Sequence, residues 1–335
     1  MRRLFGEMKK SIKWGILGPG KIAKKVARDI QLSENGELYA VASRELKRAQ
    51  HFSKTFNVPV FYGSYIELLK DENIDVVYIA TPHTFHFEHT MLALNHRKHV
   101  LCEKPLAMNI QQVEIMVKEA RSRRLFLMEG IWTRFIPATE KLIQLLDDRL
   151  IGDVISIRAD FGFKSSMDLK GRLFEKKLGG GSLLDIGIYP VYLSLLILGV
   201  PNEIMAMARM TKTGVDSFTS IMFNYSNQAK ASLESTLEAH TPIEALIYGT
   251  KGKIRLASRF HHSERLEVFE NEGVKEQFDL KYLGNGYVHE INEVNQCLFN
   301  QKVESSKLPL SMSMQLISTL DKVRAKIGLR YDLED

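Results

Sequence analysis

The run Trp14-Gly15-Ile16-Leu17-Gly18-Pro19-Gly20-Lys21-Ile22-Ala23 sets a Gly-x-Gly-x-x-Ala pattern between a short apolar stretch and the start of a helical pattern. It constrains the fold more than any other feature, because each small residue has a mechanical task. Gly18 permits a tight turn, Gly20 lets backbone approach an anion, and Ala23 lets the helix lie close to the strand. The rest of the first third agrees. Strand-like runs at 12–17, 38–42, 58–61, 74–80, 99–102 and 125–128 alternate with helical runs opening near Lys21 and at 46–56, 65–70, 85–95 and 110–123. Six strands with intervening helices predict an α/β fold with a doubly wound parallel sheet. The anion expected at the first turn is a dinucleotide pyrophosphate facing a helix N-terminus. Gly18, Pro19, Gly20, Lys21 and Ile22 are its expected cradle.

After Trp132 the texture changes. Helical patterns at 137–148 and 183–198 are separated by an apparent strand, 154–161, and a glycine run. Runs at 204–210, 217–224, 229–236 and 244–248 then alternate apolar with polar, and two helices, 289–299 and 311–327, close the chain. Such alternation implies a sheet with one face on a core and the other on solvent or a partner. The predicted division is a dinucleotide-binding domain, 1–131, with 1–11 as a basic extension, and an α+β domain, 132–335, built on a large, mostly antiparallel open-faced sheet. A length of 335 residues accommodates two cores.

The charge balance looks like a nucleic-acid signal, but half of the net +6 lies in the first ten residues, where Arg2, Arg3, Lys9 and Lys10 outweigh Glu7 by three. Elsewhere acids and bases alternate as on solvated faces, so neither a nucleic acid nor a membrane is expected as partner. The longest apolar run, 191–200, falls short of the roughly 20 residues a span requires and reads as a buried helix. The first residues lack a secretory leader pattern, and the two cysteines, Cys102 and Cys297, suggest neither a disulfide framework nor a thiolate metal site. A cytoplasmic location is expected.

The end of the second strand separates NAD from NADP, because an acid there accepts from the ribose 2′-hydroxyl. This chain has Ser43-Arg44, with Arg48 one turn on, which suits a 2′-phosphate and favours NADP(H). Glu45 keeps NAD(H) as the second choice. In a doubly wound sheet the ligand lies outside the carboxyl ends of the strands. Three such ends are unusual: Thr81-Pro82-His83, with His86 following; Glu103-Lys104-Pro105; and Glu129-Gly130-Ile131-Trp132. Pro105 restricts Lys104 to extended backbone, which allows its ammonium to be aimed. His83, His86 and His89 recur every third residue, yet no carboxylate or cysteine with ligand spacing accompanies them, so no metal is expected.

With these motifs together, the chain resembles the Gfo/Idh/MocA oxidoreductases over 12 to about 327. The runs 132–135 and 179–189 are most similar to the branch of dimeric dihydrodiol dehydrogenases and NADP-dependent D-xylose dehydrogenases. Many relatives carry histidine where this chain has Tyr189. Asp185 and Tyr189 are four apart, so on a helix they share one face. Hydride transfer between nicotinamide C4 and a carbinol or carbonyl carbon needs a proton donor or acceptor at the oxygen. A tyrosine near pKa 10 needs an ammonium beside it to serve at neutral pH, and Lys104 is the candidate. The resemblance implies the same pair, with Asp185 orienting the lysine or accepting a substrate hydroxyl. Trp132, Arg134 and Phe135 are expected at the substrate pocket, and His261-His262, in a polar stretch, is expected to face solvent.

The expected activity is an NAD(P)-dependent oxidoreductase acting on a sugar, polyol or cyclic diol. Its rival is a dinucleotide-binding sensor or co-regulator of the same fold, which has no need for Lys104, Asp185 and Tyr189 together. Met205, Met207, Met222 and Phe223 are available to a sheet face, and the resemblance implies a homodimer or tetramer paired through that sheet. Sequence leaves open the substrate, the direction of reaction, and which of Lys104 and Tyr189 passes the proton.

Overall fold

A computed structural model describes residues 11–331 apart from 167, 170, 271 and 272; most of the basic extension lies outside the described residues. The first sheet comprises β1 (Ile12–Leu17), β2 (Gly36–Ala42), β3 (Val60–Tyr62), β4 (Val76–Ile79), β5 (His99–Glu103) and β6 (Leu127–Gly130). Their order is β3-β2-β1-β4-β5-β6, and every pairing is parallel. Strands such as Val76–Ile79 are buried throughout, as a sheet covered on both faces requires. The covering helices are α1 (Lys21–Leu32), α2 (Leu46–Phe56), α3 (Tyr65–Lys70), α4 (His86–Asn95) and α5 (Ile110–Arg123). The strand order reverses between β1 and β4, which opens a crevice above their carboxyl ends.

The second layer begins with α6 (Pro137–Asp147) and β7 (Val154–Gly162), followed by α7 (Ile188–Leu198). Then come β8 (Glu203–Met210), β9 (Asp216–Asn224), β10 (Lys230–Thr236), β11 (Ala245–Gly249), β12 (Lys253–Leu256), β13 (Arg265–Glu270) and β14 (Gly273–Asp279). These form an eight-stranded sheet of order β14-β13-β12-β11-β7-β10-β9-β8, antiparallel except where β7 and β10 run parallel. Ile157, Leu233, Ile221 and Ile247 bury one face. On the other, Met205, Met207 and Met222 are exposed, whereas Phe223 belongs to the core. The apolar stretch 176–198 is long enough to cross a membrane, yet 78% of its apolar window is buried inside the protein.

Two closing helices, α8 (Val288–Phe299) and α9 (Leu310–Ile327), tie the layers together. Asp29 on α1, fully buried, accepts from Asn285 N at 3.0 Å, Asn285 Nδ2 at 2.8 Å, Tyr287 N at 2.8 Å and Val288 N at 3.2 Å. A carboxylate from one helix thereby satisfies the orphan N–H groups that begin another. Farther along α8, Asn295 Oδ1 accepts from Trp14 Nε1–H at 3.0 Å, and its Nδ2 donates to Glu34 O at 2.8 Å. The return of the chain onto the first sheet is therefore fixed at three points, and it sets the position of Tyr287.

Candidate active site

Gly18 ends β1 at φ +88°, where a Cβ would lie 3.1 Å from Thr81 Cγ2 and 3.2 Å from Ala80 O. Only glycine fits that turn without strain. Gly20 is the N-cap of α1 and makes no side-chain cap bond, and the first turn holds no acid. A Cβ at Gly20 would meet nothing nearer than 3.9 Å. The early N–H groups of α1 consequently face open space, which fits a pyrophosphate. At the end of β2, Ser43 is buried and its Oγ accepts from Glu45 N at 3.2 Å. Arg44 lies exposed with its guanidinium 5.8 Å from the Phe85 ring. Arg48 pairs at 3.7 Å with Glu45, which partly neutralises both charges.

The histidines after β4 are each engaged. His86, fully buried, sets Nδ1 2.7 Å from Pro105 O and Nε2 2.8 Å from Thr81 O, between the β4 turn and the Lys104 turn, and the neutral ring donates to only one of these carbonyls at a time. His89 Nδ1 is 3.0 Å from Thr81 Oγ1. Burial holds both rings down to about 4. His83 Nδ1 is 3.1 Å from Gly179 O; a carbonyl only accepts, so Nδ1 donates and Nε2 keeps its lone pair. Burial, then the Lys104 and Arg172 charges, hold His83 well below its ordinary range, so it is neutral at neutral pH. This bond also joins the first sheet's loops to the glycine run of the second layer.

Lys104, in a cis Lys104–Pro105 step, reaches across to the second layer. Its Nζ donates to Asp185 O, lies 3.4 Å from Asp185 Oδ1, and stands 5.2 Å from the centre of the Tyr189 ring. Asp185 sits in a wide π-helical turn, Leu183–Gly187, that runs into α7, so the segment is not the uniform helix its sequence predicts. Asp216 fixes the start of that turn: its Oδ2 accepts from Leu183 N at 2.8 Å, Ser182 Oγ at 2.6 Å and Thr219 Oγ1 at 2.7 Å. Even with the wider turn, Asp185 and Tyr189 both address Lys104. Burial alone would raise the Asp185 pKa, but the Lys104 ammonium and the Arg172 guanidinium, 3.0 Å away, outweigh it and hold the carboxylate well below its usual range.

Tyr189 differs from the expectation of a phenol lowered by Lys104. Burial, followed by the Glu103 and Asp185 carboxylates, pushes its pKa far up, and only the Trp132 indole N–H, donating to the hydroxyl at 3.2 Å, pulls the other way. The ammonium sits over the ring and is committed to Asp185, so at rest the phenol keeps its proton. Glu103 accepts from Tyr78 Oη; burial raises its pKa, against the pull of Tyr78 and Lys104.

An aromatic wall surrounds the hydroxyl. Trp132 stacks on Tyr287 with centres 4.2 Å apart. Phe161 of β7 stacks on His261 at 4.3 Å, and His261 lies 4.9 Å from Tyr189. His261 is thus a correction, since it is buried against the tyrosine instead of facing solvent. Arg259 at φ +62° begins the turn that directs it inward. Two further expected pocket residues are held elsewhere. Arg134 is buried with Nε donating to Lys307 O at 3.0 Å and Nη1 3.0 Å from Glu140, and Phe135 packs into the core. Arg172, Phe161 and Tyr287 join the site without any distinguishing signal in the sequence.

A dinucleotide cradle on one sheet, with a lysine and a tyrosine brought to its edge from two layers, defines a nicotinamide-dependent oxidoreductase. Residues 12–131 match the family model described as "Oxidoreductase family, NAD-binding Rossmann fold", and 139–255 match the "GFO/IDH/MocA C-terminal domain". The chain belongs to the Gfo/Idh/MocA oxidoreductase family, enzymes acting on CH–OH groups. It is 38% identical to trans-1,2-dihydrobenzene-1,2-diol dehydrogenase of Danio rerio, covering 96% of this chain and 98% of that protein. Identity to the Homo sapiens enzyme of the same name is 36%, with the same coverage. Among solved structures, a 3-ketoreductase from Actinomadura kijaniata in complex with NADP and TDP-benzene superposes with TM-score 0.86 at 26% identity, over 95% of this chain and 98% of that one.

Proposed function

We propose that the protein is an NADP-dependent dehydrogenase or reductase for a ring-shaped vicinal diol or the matching hydroxyketone, with sugars as the nearest alternative class. The observation that carries the reading is the Lys104 ammonium lying between Asp185 and the ring of Tyr189 at the end of a strand beside the dinucleotide crevice. The flat wall of Trp132, Phe161, His261 and Tyr287 favours a ring over an extended polyol. The similarity to dihydrodiol dehydrogenases and to a ketoreductase holding NADP agrees with both assignments.

When bound, the dinucleotide supplies or accepts the hydride. The protein supplies the proton. In the reducing direction Tyr189, protonated at rest, donates Oη–H to the carbonyl oxygen. The tyrosinate left behind is stabilised by the Lys104 charge above its ring and by the Trp132 N–H. Asp185 holds Lys104 in place, and its own charge is balanced by Arg172. In the oxidising direction the same atoms run in reverse: Tyr189 must first release its own proton to solvent, and the tyrosinate held by Lys104 and Trp132 then takes the hydroxyl proton. Arg44 at the β2 end would bind the 2′-phosphate, and Glu45 is engaged by Arg48. The division at residues 131 and 132 assigns the dinucleotide to the first part and the substrate wall to the second. Exposed Met205, Met207 and Met222 suit a homodimer paired through the open sheet face. Two free, buried cysteines suit the reducing cytoplasm.

The test is a panel of trans-cyclic diols, aldoses and linear polyols with NADP and NAD. The expected result is oxidation of cyclic diols with NADP over NAD. Binding of NADPH with no turnover on any member would count against catalysis.

A further inference from the structure

Glu129 is the penultimate residue of β6 and is 2% exposed, yet it takes no part in the chemistry above. Its partner in the sheet register is Cys102, so it lies beside the strand that ends in Lys104. Glu129 Oε1 accepts from Leu106 N at 2.8 Å, which fastens the turn immediately after Lys104-Pro105. Its other oxygen, Oε2, is buried without a well-formed hydrogen bond; the Ser313 hydroxyl on α9 lies near enough to favour the charged carboxylate but completes no bond with it. A half-satisfied buried carboxylate is costly, and it persists only where structure or function requires it.

We propose that Glu129 is a positioning residue for Lys104: its carboxylate holds the Lys104–Pro105 turn through the Leu106 N–H, and proton uptake there weakens both that hold and its electrostatic support of the ammonium, switching the enzyme off in acid. The groups that face it are Lys104, Glu103 and Cys102 from β5 and the turn after it, Tyr192 from α7 and Ser313 from α9. Burial raises the Glu129 pKa to about 7; Ser313, the Leu106 N–H and Lys104 restrain the rise, and Glu103 adds to it. Glu129 therefore changes charge near neutral pH, unlike Asp185, which stays ionised there.

The inference rests on the Lys104–Tyr189 reading and fails separately from it. The measurement is the pH profile of kcat/KM with a saturating NADP, alongside NADPH affinity by fluorescence. In the wild type, kcat/KM is expected to fall below about pH 7, approaching about tenfold per unit for a single proton. Glu129→Gln, which keeps an acceptor for Leu106 N but no charge, is expected to remain at the low value with that limb flattened and NADPH affinity within about twofold. Glu129→Asp should restore the limb. Ser313→Ala, which removes a group that lowers the Glu129 pKa, should move the limb to higher pH, and it serves if Glu129→Gln folds poorly. An unchanged acid limb in Glu129→Gln, or an unmoved midpoint in Ser313→Ala, overturns the proposal. If the limb is unchanged while Tyr189→Phe abolishes turnover, only Glu129's role is lost.

Discussion

Asp29→Ala should destabilise the protein and impair catalysis together, although Asp29 touches no reacting group. The carboxylate accepts four N–H donors, three from backbone, at the entry to α8. Removing it strands the buried N–H groups of Tyr287 and Val288. Each orphaned buried donor costs about 1–3 kcal/mol, and lost caps alone reach about 2 kcal/mol. The expected loss is about 3–5 kcal/mol, at the upper end for single substitutions. Tyr287 is bonded directly through its N–H and stacks on Trp132 at 4.2 Å, and Trp132 donates to the Tyr189 hydroxyl. A displaced Tyr287 therefore loosens the proton donor, and kcat should fall several-fold under conditions where the variant is still folded. Asp29→Asn, which keeps one acceptor oxygen, should lose about half as much stability. Urea unfolding followed by circular dichroism gives the free energies, and steady-state kinetics at low temperature gives kcat. If Asp29→Ala stays within about 1 kcal/mol of wild type with an unchanged kcat, the α1–α8 cap is not what positions the aromatic wall.

Arg44→Ala should weaken NADP binding at least tenfold while leaving NAD nearly untouched, because one charge-assisted contact to a 2′-phosphate is worth about 1.5–3 kcal/mol; equal losses by calorimetry would refute the assignment. Gly18→Ala should lower affinity for both cofactors, since its φ of +88° and the contacts at 3.1 and 3.2 Å leave no place for a Cβ. The two buried acids should give opposite pH signatures in stability. The Glu129 pKa rises from 4.5 to about 7 on folding, so its contribution is full below about pH 4.5 and is lost as pH climbs to about 7. That loss is about 3 kcal/mol, visible as the wild type falling relative to Glu129→Gln. The Asp185 pKa is depressed, so its contribution is full above the ordinary carboxylate range and is lost only as pH drops below it. A difference curve of the same sign for Asp185→Asn would contradict the ion-pair account.

The first sheet was legible because its strands are apolar runs punctuated by glycine and proline, and α2, α3 and α5 begin and end where the periodicity says. The open sheet was legible only in part. β12, β13 and β14 escaped notice because Lys253–Leu256, Arg265–Glu270 and Gly273–Asp279 are rich in charge, which suits strands toward an exposed edge and hides their pattern. Lys104 was legible through the strand end and the proline, whereas Asp185 and Tyr189 were legible through the family resemblance together with their four-residue spacing. His261 was not, because flanking Arg259, Ser263 and Glu264 read as a solvated loop, and its burial arises from long-range packing on Phe161. The same limit hid Asp29, an acid inside an amphipathic helix whose purpose lies some 256 residues away in sequence. The tyrosine's protonation state was also out of reach, since it depends on burial and on carboxylates from separate strands.

The central claim is that Tyr189, supported by Lys104, moves the proton that accompanies hydride transfer. Single-turnover stopped-flow measurement of NADPH oxidation by a cyclic hydroxyketone tests it most directly, in wild type, Tyr189→Phe and Lys104→Met. Both variants are expected to slow the hydride step by about 10²–10⁴-fold while binding NADPH within about twofold of wild type. A Tyr189→Phe enzyme that transfers hydride at the wild-type rate would contradict the account.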